Sequence, residues 1–263
     1  MNKALIIAKK EIKEIVRSKY ILTSLLMPII LFGILMPIIF YQLPQLPIQG
    51  KIKIPEFITK NIPNYQNMTD NQRILYFITY YIWGPLLPIV PLMIPVFIAA
   101  DSFAGEKERK TIEPILATPT TDAEIFLGKT LTAFITSMAI SAITFTISTA
   151  IIDNAALKVF SHPIFPSPTY MLIMLGTSPL ATLLSITIIV LISAQIANVR
   201  DTSQIGGVII LPVILIIIAQ IFELIIINFT SVTITTIILT IIDTILLKLS
   251  IKNFEREKIL IQT

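Results

Sequence analysis

The sequence predicts an all-α membrane protein with six transmembrane helices and an N-terminal amphipathic helix at the membrane interface. Three observations carry that expectation. Of 263 residues, 54% are hydrophobic and only 14% are charged, with a mean hydropathy of +0.84. A soluble domain needs more charge than this on its surface, so most of the outer surface must face lipid. The charges also fall in short blocks separated by long uncharged runs. Finally, Lys and Arg are shared unequally between alternate blocks, which is how orientation is written in membrane proteins.

The chain opens with an amphipathic segment over 3–17. At about 100° per residue, Leu5, Ala8, Ile12, Ile15 and Val16 fall on one helical face, and Lys10, Lys13, Glu14 and Arg17 on the other. A basic amphipathic helix of this kind lies in the inner membrane interface. Residues 1–19 hold six Lys/Arg, and the apolar run after them is too long for a signal-peptide core and lacks a small-residue cleavage site. The first span is therefore expected to remain as an anchor.

About 20 apolar residues cross a bilayer core of about 30 Å as helix. Walking between charges places spans over 20–41, 76–100, 128–152, 170–197, 202–222 and 230–247. The second contains Pro85, Pro88, Pro91 and Pro95, and the fifth contains Pro212; each removes a backbone donor and favours a kink. Pro163, Pro166 and Pro168 mark a loop before the fourth. The sixth is rich in Thr and carries Asp243. Backbone groups in lipid must be satisfied internally, and these runs lack the alternation of barrel strands, so helix is the only form open to them.

With the N-terminus inside, the inner segments hold fifteen Lys/Arg and the outer ones five. That bias predicts a cytoplasmic N-terminus, and an even number of spans returns the C-terminus to the same side. A cytoplasmic segment over 101–127 and a tail over 248–263 follow, with an outer loop over 43–73.

Several chemistries are excluded or disfavoured. There is no cysteine, and the lone histidine, His162, rules out a multi-histidine metal site. The net charge of +4 is spread over loops, so no nucleic-acid partner is expected. Gly128-Lys129-Thr130 matches the end of a phosphate-binding P-loop, but Ala123 stands where the first glycine belongs and no strand precedes it. His162 beside Ser161 lies in a Pro-rich loop with no matched carboxylate, which is an ordinary loop histidine. No catalytic, metal or cofactor site is expected in the chain.

Two membrane carboxylates, Asp243 and Glu223, allow either a functional reading or an interfacial one, with Lys248 as a rough partner for Asp243. With Asp101 they would serve a stand-alone ion-coupled carrier or an intramembrane enzyme, the alternative function. Gln195, Gln204 and Gln220 are too polar to face lipid, and with Pro212 they are candidates to line a pathway or a helix contact. Gly206-Gly207 permits close helix approach.

The segment after span two is the most informative. It reads Ala-Asp-Ser-Phe-Ala-Gly-Glu-Lys-Glu-Arg-Lys-Thr-Ile-Glu-Pro-Ile-Leu-Ala-Thr-Pro over 100–119, a dense mixed-charge patch followed by a short apolar piece. Thr121-Asp-Ala-Glu124 then forms a capping box that starts span three. Mixed charge beside Ile112, Ile115 and Leu116 suits a protein docking surface, with apolar anchors for affinity and charges for register. A merely solvated inner loop fits the same residues.

Phe103 to Pro119, followed by Glu124-Ile-Phe-Leu-Gly-Lys129, resembles the cytoplasmic loop of type-2 ABC transporter permeases, the membrane subunits of many ABC exporters. The N-terminal helix resembles the family's elbow helix, 198–204 its short loop before span five, and 254–260 its common ending. Lys110 stands where the family often has Gly, and the outer loop is shorter than in members with a large external domain. The resemblance implies that 106–117 contacts a separate ATPase subunit, which binds the ATP, through Glu106, Glu108, Arg109, Ile112, Glu113, Ile115 and Leu116. It also implies that a second permease subunit completes the transport path.

Overall fold

The computed structural model describes residues 3–42, 54, 56–62, 64–111, 120–196, 198–222, 224–225 and 227–253. Among them there is no strand. The N-terminal helix Lys3–Arg17 stops at Ser18, whose side chain accepts from the Ile21 N–H and caps the first span. Six helices are long and apolar enough to cross a membrane: Ile21–Gln42, Asp70–Glu108, Ala123–Phe160, Pro168–Ser193, Val199–Gln220 and Phe229–Leu249. We refer to them as spans one to six.

The spans alternate in direction. At one end, here the proximal end, the N-terminal helix meets the C-terminus of span two and the start of span three through Glu11, Glu106 and Lys129, and span two meets the end of span four through Lys107 and Ser193. At the distal end Tyr41 reaches Lys158, Gln72 reaches Val159, and Tyr80 reaches Ile164. Spans two and three, at 39 and 38 residues, exceed their uncharged runs. At 1.5 Å per residue each is nearly twice as long as a bilayer core is thick. Both start early for the same reason: Thr69 with Gln72, and Thr121 with Glu124, form complete capping boxes that satisfy the first free amides.

Proline decides the interior geometry. Three spans widen into π-helical turns, Ile29–Leu35, Ile78–Trp83 and Ile173–Thr177, each ending two residues before a proline: Pro37, Pro85 and Pro179. The N–H groups of Met36, Gly84 and Ser178 reach back five residues to the carbonyls of Leu31, Thr79 and Ile173. The wider turn makes room for a ring that would clash with the carbonyl four residues back. Pro95 leaves the Pro91 carbonyl without its helical donor, and Thr182 of span four donates to it at 3.1 Å. Span two is the central element, its apolar stretch mostly buried.

Two of the apolar clusters among the described residues occupy most of the bundle's interior. The distal one centres on Trp83, with Phe32 and Phe40 rings at 6.3 and 5.9 Å and with Phe165, Tyr170 and Ile173 around it. Asp153 ties the loop before span four to span three, its Oδ1 accepting from the N–H groups of Ile164 and Phe165 at 3.1 and 3.0 Å. The proximal cluster joins Ile94, Ile98, Phe103, Phe126, Ile186 and Ile189. Two cavities within the bundle measure about 10 Å³ each, one lined by Pro91, Ser141, Thr144 and Ser178 and the other by Trp83 and Ile152. Each has room for about one water molecule.

The face that the N-terminal helix turns toward the spans overlaps its apolar face at Ala8 and Ile15 but is rotated from it. Ala4, Ala8, Glu11 and Ile15 are buried, while Leu5 and Val16 are exposed. Closeness of approach is the reason. A Cβ on Gly128 of span three would sit 2.8 Å from Ile7 Cβ and 2.9 Å from the Ala4 carbonyl. The glycine on span three lets the helix come so near, with Ile7 and the Ala4 backbone against it, and Leu5 and Val16 are left on the outside beside the basic face.

Candidate functional site at the proximal end

The proximal end is organised by one buried cation. Lys129 is 2% exposed and lies two helical turns inside span three. Its Nζ is 2.7 Å from Glu106 Oε1 and 3.3 Å from Glu11 Oε1, and donates to the Ser102 carbonyl at 2.7 Å. The Ser102 hydroxyl donates to the other Glu11 oxygen at 2.9 Å. The Phe103 ring sits under the ammonium, its centroid 5.5 Å away. Three elements that are far apart in sequence are thereby joined at one point. Two carboxylates about one ammonium leave a net negative charge out of water, and Glu106 Oε2 is buried without a hydrogen-bond partner. Such a cluster is costly to assemble and more costly to break, because removing one member strands the others.

Glu106 and Lys129 flank the mixed-charge segment on either side, so their ion pair closes the base of the loop between spans two and three. Span two ends directly above that base in a Schellman motif: the Lys110 N–H bonds the Lys107 carbonyl and the Thr111 N–H bonds the Glu106 carbonyl. Lys110 adopts φ 56°, the left-handed conformation that glycine takes most easily. This is the position where the resembled family often has Gly.

The neighbouring residues tie span two outward. The Lys107 ammonium donates to the Ser193 carbonyl at 2.8 Å, at the end of span four. The Glu108 carboxylate accepts from the Val199 N–H at 3.0 Å, at the start of span five. Asn198 caps the same helix, its Oδ1 accepting from Arg200 and Asp201. Arg109 folds back on Asp101, Nη1 to Oδ1 3.0 Å, and that hydrogen bond strengthens the guanidinium's hold on its proton above the ordinary level. Asp101 is thus an ion-pair partner.

Of the residues expected to serve docking, Glu106 is buried in the clamp, while Glu108 and Arg109 are exposed on the last turn of span two. Ile112, Glu113, Ile115 and Leu116 lie outside the described residues, as does Glu223. Gln195, Gln204 and Pro212 are exposed, whereas Gln220 is 1% exposed with its Oε1 unpartnered. Gly206 is the glycine that matters of its pair: a Cβ there would meet Ile189 Cδ1 at 2.2 Å, while one on Gly207 would meet nothing within 4 Å. Asp243 is buried and bonds no partner with either oxygen; Lys248 is exposed and not paired with it.

Glu11 and Lys129 were not singled out as a pair by sequence reasoning. The available signal was weak but present: Glu11 is the one acidic residue on the stripe 4, 8, 11, 15, and Lys129 is the one charge inside an otherwise uncharged run. The lysine of the P-loop-like triplet is committed to this clamp.

The search of curated proteins gives no match. A family model described as ABC-2 family transporter protein matches residues 5–254, from the N-terminal helix through all six spans. On that match, together with the six apolar helices, the chain belongs to the ABC-2 family and is a membrane permease subunit of an ABC transporter.

Proposed function

We propose that this chain is the permease subunit of an ATP-driven exporter, that two such subunits enclose the transport path, and that separate ATPase subunits drive it through segment 106–117. The proximal end is then the cytoplasmic one, in keeping with the fifteen-to-five bias of Lys/Arg. The observation that carries the reading is the closed base of the loop between spans two and three. A segment pushed by a partner transmits motion only if its ends are held. Here one end is fixed to the other by Glu106 and Lys129, and to the N-terminal helix by Glu11. Lys107 and Glu108 carry the same displacement to spans four and five.

The test is reconstitution of the permease with its partner ATPase in proteoliposomes, measuring transport and ATP hydrolysis in parallel. Glu113→Lys is expected to leave ATP hydrolysis running while transport is lost. Leu116→Ala should weaken assembly with the ATPase by about 1–3 kcal/mol, as loss of a modest apolar anchor does. Wild-type transport and wild-type ATPase association in both variants would overturn the reading.

A further inference from the structure

Span six touches the bundle along one narrow stripe. Val232, Thr236, Leu239, Asp243 and Leu246 recur at the spacing of one helical face, while Ile234, Ile237, Ile238, Ile241, Ile242 and Ile245 point outward. That stripe lies along span four, the two helices running in the same direction. Their register is set by the hydrogen bond between Thr177 and Thr236 at 3.0 Å, with Gly176 beside Thr236. Asp243 comes two turns further along the same stripe. It is 3% exposed, and neither carboxylate oxygen has a hydrogen-bond partner.

Among the described residues, none offers it a counter-charge. Span four from Met171 to Gln195 has no titratable side chain. On span six the nearest charge is Lys248, five residues on and exposed, about 140° around the helix. Arg200 and Asp201, at the start of span five, are both exposed. The hydroxyls of Thr236, Thr240 and Thr244 are spent on carbonyls four residues back on their own helix. A metal cation would need several oxygen ligands, and among the described residues no three His, Cys, Asp or Glu gather. An isolated carboxylate out of water neutralises itself rather than remain charged. The occupant that needs only one oxygen is a proton.

We propose that Asp243 is a proton-binding carboxyl, held as the neutral acid while span six lies against span four and releasing its proton when the two separate. Binding is a simple equilibrium: the carboxylate takes one proton on one oxygen as the seam closes and returns it to water as the seam opens. Proton binding and helix seating are therefore linked, and alkaline conditions favour the open seam.

The chain has no native cysteine, so labels can be placed at will. The full-length protein in lipid nanodiscs is examined by infrared difference spectroscopy over pH, and by spin-label distance between Leu191→Cys on span four and Leu249→Cys on span six. Wild type is expected to show a protonated-carboxyl carbonyl band at neutral pH that disappears at alkaline pH together with a lengthening of the label distance. Asp243→Asn and Asp243→Leu should both lack that band and hold the short distance at every pH. Asp243→Leu should also melt at a higher temperature than wild type, because the isolated polar group is gone. A neutral-pH band that is the same in wild type and both variants overturns the proposal. So does a wild-type label distance that ignores pH, or one that moves equally in the variants.

Discussion

Lys129 shows how much can rest on a single side chain. Among the described residues it is the cation that pairs with both buried carboxylates, and truncating it leaves Glu11 and Glu106 facing each other without that compensation. Lys129→Ala should cost about 3–5 kcal/mol of stability, read as thermal or denaturant unfolding in detergent. The triple change Lys129→Met, Glu11→Gln, Glu106→Gln should recover most of that loss, since an uncharged cluster of similar volume has no ionic desolvation to offset. If the single and triple variants are equally unstable, packing rather than charge holds the site. Lys110 makes the opposite case, a residue at odds with its backbone. A side chain in the left-handed region costs about 1 kcal/mol or more, so Lys110→Gly should raise stability by about that amount in the same assay. No gain would mean that the Lys110 side chain compensates for its own strain. Neither effect could be read from the sequence in full: the departure from glycine was visible, but the helix end that gives it meaning is set by hydrogen bonds to Glu106 and Lys107.

At the scale of the element, the spans were legible because lipid imposes a simple rule: uncharged runs of sufficient length become helices. Their ends were less so. Span three begins at the Thr121 capping box the sequence already shows, but span two is capped early by Thr69, and both extend past their uncharged runs because Glu106 and Lys129 find each other and can be buried with charge. The inward face of the N-terminal helix was legible only in part: Ala8 and Ile15 of the apolar face are buried, but the face is rotated toward Ala4 and Glu11, where the helix lies close against Gly128. Prolines were visible as kink sites, but their compensation by another helix was not. That compensation gives a sharp test. Thr182→Val removes the donor to the Pro91 carbonyl and should cost about 1–3 kcal/mol. In a Pro95→Ala background the helix regains its own N–H at that carbonyl, so the same Thr182→Val change should cost distinctly less. Equal costs in both backgrounds, in a double-mutant cycle of unfolding free energies, would mean that the threonine acts by packing and not by completing span two.

For the whole molecule, the two ends are built from different materials. The distal end is closed mainly by aromatic rings about Trp83 and by side chains bonded to the backbone, with Asp153 buckling its loop, Lys158 bonding Tyr41, and an ion pair, Arg73 with Asp70, that stays within one helix. The proximal end is held by ion pairs and ammonium–carbonyl bonds, and it carries the exposed basic residues of the N-terminal helix. A membrane with a negatively charged inner surface attracts such an end and gives nothing to the other. The orientation this implies can be measured directly, because the chain contains no cysteine to interfere. His162→Cys places a thiol on an exposed distal loop, and Thr111→Cys places one on the exposed proximal turn after span two. In intact cells a membrane-impermeant maleimide should label His162→Cys, and should reach Thr111→Cys only after the membrane is permeabilised. Equal labelling of both in intact cells would contradict a six-span chain with these two positions on opposite sides. The reverse pattern would keep the fold but turn the molecule over, putting the loop between spans two and three beyond the reach of any ATPase.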